Sequence, residues 1–126
     1  MDPYLTAAAA VAMATAVLHS YLGERFILIR LFRRSNLPHL SGSDVFTKRT
    51  LRFAWHLTSV AWCGFGALLV LLARQPSLGE GARIALLVIT WTFGVSAVYA
   101  FSASRGRHFS WVLFGAIALG AWLGSR

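Results

Sequence analysis

The chain is poor in acid and in charge of any kind. Four Asp and Glu residues stand against twelve Lys and Arg, and only 13% of the 126 residues are charged. A water-soluble domain carries about a quarter, so this composition excludes an ordinary solvated surface. None of the acids, Asp2, Glu24, Asp44 and Glu80, falls inside an apolar run. A small cation exporter needs a membrane-embedded carboxylate to exchange proton and cation, so that class is disfavoured. The single cysteine, Cys63, rules out an intramolecular disulfide and a Cys-based zinc site. It sits in an apolar run, where a thiol serves as a small packing residue. A Gly-rich phosphate loop, a Ser-x-x-Lys, a G-x-S-x-G and an internal repeat are all missing.

What the sequence does have is long apolar runs. Hydrophobic residues make up 57% of it, and they cluster in blocks rather than at amphipathic spacing, as expected of a chain whose solvent is lipid. The expected fold is all-α: a polytopic membrane protein with four transmembrane helices packed as an antiparallel up-down bundle. It reads as a single transmembrane domain, 1–126, with spans at about 4–23, 51–73, 84–102 and 108–124. Asp2 stands where a signal peptide would need positive charge, so the first run reads as a retained span. Phe26 to Phe32, studded with Arg30, is expected to carry the helix into the headgroups or along the surface. Ser35 to Asp44 is the only convincing loop, with Asn36, Pro38, Ser41, Gly42 and Ser43 as turn formers, and Ser43 or Asp44 is placed to cap the next helix. Pro76 and Gly79 break the chain after the second run, and Arg105-Gly106-Arg107 turns it after the third.

Charge then sets direction. Arg25, Arg30, Arg33, Arg34, Lys48, Arg49 and Arg52 flank or fill the first connection, and Arg105 and Arg107 the third. Arg74, Arg83 and Arg126 fall on the other side. Because cations stay in the cytoplasm, both termini are expected outside it. The Ala, Gly, Leu and Arg bias suits a GC-rich bacterial gene, which makes the bacterial inner membrane the expected location. The net charge of +8 therefore reads as an orientation signal, with no nucleic-acid partner implied. Arg30, Arg33, Arg34, Lys48, Arg49, Arg52, Arg105 and Arg107 are the expected contacts to anionic headgroups, each contributing about 1 kcal/mol near the surface.

Lipid tails are as apolar as leucine, so helices associate through small residues and hydrogen bonds. The expected packing positions are Ala12, Thr15, Ser59, Cys63, Gly66, Gly94, Gly115, Gly120 and Gly124. Gly120 to Gly124 also matches the G-x-x-x-G of dimerising helices, although intrachain packing explains such a pair as well.

Depth along the spans brings out one cluster. His19, His56 and His108, with Glu24, all fall near the basic end. Imidazoles on facing helices can hold a divalent metal or haem, or they can hydrogen-bond neighbouring hydroxyls and carbonyls. No H-x-x-x-H or E-x-x-H spacing supports a metal. His19 and Glu24 are five residues apart, about 140° around an ideal helix, which argues against a dyad of those two. Two stretches, His19 to Arg25 and Thr50 to Ser59, stand out from apolar filler. The functional expectation is a non-catalytic accessory, packing or lipid-contacting protein. The alternatives are a metal- or haem-binding protein using the His cluster, and an oligomeric transporter or channel for a small solute. A homo-oligomer or a membrane-protein partner is compatible with any of these.

Overall fold

A computed structural model of the chain describes residues 1–39 and 42–126, so Ser41 of the expected loop lies outside the described residues. Among the described residues the structure is all-helical, with four helices. The first, α1, runs Pro3–Leu31. Asp2 caps it by accepting a hydrogen bond from the Leu5 amide at 2.8 Å, and Pro3 fills the first helical position, where a missing N–H costs nothing. After Leu22 it widens into a π-helical stretch, Gly23–Leu28, before one last turn, Ile29–Leu31. The helix thus carries on well past residue 23, where the charge-free run stops.

The second helix, α2, is Asp44–Ala73. Ser43 caps it through the Val45 amide at 3.1 Å, and Lys48 pairs with Asp44 one turn away at 2.8 Å. The third, α3, is Glu80–Ser104. It ends where Arg105 enters the left-handed region at φ 53°, followed by Gly106 at φ 74°. The fourth, α4, is Ser110–Gly124. Three of these helices are long and apolar enough to cross a membrane, while α4, at 15 residues, is shorter.

One core joins all four. Ala8, Ala9 and Ala12 of α1 meet Leu69 and Leu72 of α2, Ile89 and Phe93 of α3, and Phe114 and Ile117 of α4. The close helix pairs are α1 with α2, α3 with α4, and α1 with α4. Small side chains make the α1 contacts close: Gly66 faces Met13, Gly120 faces Ala8 and the Tyr4 carbonyl, and Gly124 faces Leu5. Larger rings bridge α2 to α3, with Phe65 and Phe93 edge to face at 5.5 Å. The register of α1 on α2 follows from their pairs. The Asp2 amide donates to the Ala73 carbonyl at 2.9 Å, His19 meets Ser59 at 3.0 Å, and Glu24 meets Arg52 at 2.9 Å.

Ala12, Thr15, Ser59, Gly66, Gly120 and Gly124 of the expected packing set are at buried or close helix contacts. The Gly120 to Gly124 pair is used against α1 within the chain. Cys63, Gly94 and Gly115 differ: Cys63 is exposed, and a side chain at either glycine would meet open space. Outward faces are large and apolar. Val60 is 66% exposed, Val98 68% and Trp91 71%.

Candidate functional site

The polar residues of α1 and α2 gather at the end nearest the basic connection. Ser20 and Glu24 are four residues apart, hence on one helical face, and that face meets α2. Ser20 Oγ lies 2.9 Å from His56 Nδ1, and His56 Nε2 lies 3.2 Å from Glu24 Oε2. On its other side the Glu24 carboxylate receives Arg52 in a fork, Nη2 to Oε1 at 2.9 Å and Nε to Oε2 at 3.1 Å. An ionised carboxylate accepts only, so His56 donates from Nε2. In the tautomer that carries its single hydrogen on Nε2, His56 accepts at Nδ1 from the Ser20 hydroxyl, giving a directed chain from Ser20 through His56 to Glu24. Glu24 lies just beyond the charge-free run. The Arg52 hydrogen bonds, with a smaller contribution from His56, hold its carboxyl below the usual range.

His19 is held differently. Its Nδ1 lies 3.0 Å from Ser59 Oγ. Its ring is stacked on Trp55, centroids 4.5 Å apart and 2° from parallel, and meets Trp62 edge-on at 4.8 Å. Trp55 also donates its indole N–H to the His19 carbonyl at 3.0 Å. The indole can settle there because position 23 is glycine, where a Cβ would overlap the ring. The helix opens into its π-helical stretch at this point, a feature that often accompanies functional sites. His19 is therefore a packed, hydrogen-bonded element of the α1–α2 contact.

His108 joins neither histidine. It sits at the turn before α4, where Nδ1 accepts from the Ser110 amide at 3.2 Å and lies 2.8 Å from Ser110 Oγ, caring for the first turn of that helix. Among the described residues no group of three or more His, Cys, Asp or Glu is arranged to hold a metal ion. The expected set of His19, His56, His108 and Glu24 is thus divided: His56 and Glu24 are bonded, His19 packs alongside them on aromatic rings, and His108 bonds Ser110 at the start of α4. Glu24 is bonded to His56 across the helix pair, and His19 to Ser59.

Beside this array lies a groove of about 720 Å³ between α1 and α2. Ala16, Val17, Val60, Cys63 and Ile29 form apolar walls, and Ser20, Glu24, Arg25, His56 and Ser59 supply the polar part. Several basic residues near its mouth have other engagements. Arg52 holds Glu24 and lies over the Phe32 ring at 5.0 Å, Lys48 holds Asp44, and Arg25 and Arg30 lie over Phe26 at 5.9 and 5.6 Å. Sequence reading missed Ser20, Trp55 and Gly23 as parts of the site. The polar density of His19 to Arg25 and Thr50 to Ser59 was the available signal.

No family model, curated protein or solved structure matches this chain.

Proposed function

We propose that this protein crosses the bacterial inner membrane four times as an antiparallel up-down bundle, and acts there as a lipid-contacting protein. Its basic connections face the cytoplasm and both termini lie outside. The groove between α1 and α2 receives one anionic amphipath, its tail along Val17 and Val60 and its head beside Arg25, Ser20 and His56. One observation carries this reading: a groove with apolar walls whose polar residues lie at the end where the basic connection begins. The large exposed apolar side chains on α2 and α3 support the membrane setting, since a soluble monomer rarely exposes contiguous apolar patches above a few hundred Å². The opposed order of the α1–α2 pairs, and of Gly120 and Gly124 against α1, supports the up-down arrangement.

The test is retention of lipid through purification. The protein extracted in mild detergent is expected to keep about one anionic phospholipid per chain by mass spectrometry. Val60→Trp, which fills the groove, is expected to lose it. Equal retention by both proteins, or retention by neither, removes the groove as the binding site.

A further inference from the structure

A mid-helix serine or threonine ordinarily gives its hydroxyl hydrogen to the carbonyl four residues back. This chain follows that habit repeatedly: Thr15 donates to Val11, Thr58 to Ala54, Thr92 to Val88, Ser96 to Thr92 and Ser104 to Ala100, at 2.7–3.1 Å. Ser20 departs from it. Its hydroxyl is aligned on His56 Nδ1, and His56 is in turn aligned on the Glu24 carboxylate. A hydroxyl within hydrogen-bond reach of an imidazole that a third group orients is the arrangement that activates a serine nucleophile. Of the other two serine–histidine pairs, Ser59 with His19 has its imidazole covered by the Trp55 indole, and Ser110 with His108 lies at the turn before α4; among the described residues neither imidazole is bonded to a carboxylate.

Space and charge complete the geometry. Ser20, His56 and Glu24 all line the open groove, so a substrate can reach the hydroxyl from the side. Arg25 is the cation on the same lining; its guanidinium lies over the Phe26 ring, and turning that side chain toward Ser20 would set it against a developing oxyanion. Ser20 lies about one helical turn, roughly 6 Å, inside Glu24. In the proposed orientation this is the boundary between headgroup and hydrocarbon, the depth at which a glycerolipid carries its acyl esters.

We infer that Ser20 is a catalytic nucleophile toward acyl esters, with His56 as general base and Glu24 as the positioning residue. The Ser20 hydroxyl gives its proton to His56 Nδ1 while Oγ bonds to the acyl carbon, and the carbonyl electron pair moves onto the oxygen facing Arg25. Collapse expels the alcohol oxygen, which takes the proton from His56 and leaves an acyl ester on Ser20. Water then attacks that ester, His56 again taking and returning the proton, to release a carboxylic acid and restore the hydroxyl. The net reaction is ester plus water to acid plus alcohol. The inference rests on the groove reading only for its substrate class.

A small alkyl fluorophosphonate, which needs no lipid site, tests it on the full chain in detergent at neutral pH. One covalent adduct is expected, mapped by peptide mass spectrometry to Ser20. Ser20→Ala should abolish it, His56→Gln should slow it by ~100-fold or more, and Ser96→Ala should label like the parent. Absence of an adduct on the parent protein, or an adduct that survives Ser20→Ala, overturns the proposal whether or not the variants fold. Labelling of Ser20 without lipid retention upholds the nucleophile and removes the groove as a lipid site. Lipid retention without labelling does the reverse.

Discussion

Glu24 accepts three hydrogen bonds, two from Arg52 and one from His56. The folded state lowers its pKa, Arg52 being the larger cause. The array therefore contributes fully above the ordinary carboxylate value of 4.5 and is lost as pH falls through the lower folded value. Melting of the detergent-solubilised protein between pH 7 and 3 is expected to show a steeper acid loss for the parent than for Glu24→Gln, which has no proton to take up. Parallel curves would show that the carboxylate is equally protonated in both states. His56 and Glu24 were legible in the sequence as candidates, because each is a polar residue near one end of an apolar run. Their pairing was not legible. Spacing within one helix fixes an angle around that helix, whereas a contact between two helices also depends on their register, which no short motif encodes.

For the elements, hydropathy found the apolar part of each helix and missed what extends beyond it. The reading of 51–73 begins where the apolar run begins, whereas α2 starts at Asp44, under a Ser43 cap and with a Lys48–Asp44 pair. Those first turns are polar enough to be stable in water, so hydropathy does not register them. The π-helical stretch after Leu22 was equally hidden. Small residues were read by type, but only register decides which of them touch. Gly120 and Gly115 make the distinction measurable. A methyl at Gly120 would come to 2.9 Å from the Ala8 Cβ and 3.0 Å from the Tyr4 carbonyl, while one at Gly115 meets nothing within 4 Å. Gly120→Ala is expected to destabilise by about 1–3 kcal/mol through overpacking. Gly115→Ala is expected to stabilise by up to ~1 kcal/mol through helix propensity. The two melting temperatures, shifted in opposite directions, check the α1–α4 contact; a shared sign would discard it.

In the molecule as a whole, α1 is the common element, packed on both α2 and α4, and its alanines let both come near. Across from it, aromatic rings hold α2 and α3 further apart. The lone cysteine gives access to the surroundings of this assembly. Cys63 is exposed on the groove wall, some three turns from Arg52 along α2. A nitroxide attached there is expected to collide with dissolved oxygen far more than with a water-soluble nickel chelate when the protein is in vesicles. The opposite ratio would place that wall in water and end the case for a bilayer at this depth.

The Trp55 ring sits where a side chain at position 23 would stand, and it also reaches the His19 carbonyl. Sliding α1 lengthwise over α2 by even a single residue would drive bulk into that indole from either side. The two helices are therefore locked axially at this point, and the same indole, bonded to the α1 backbone, also fixes how closely they approach.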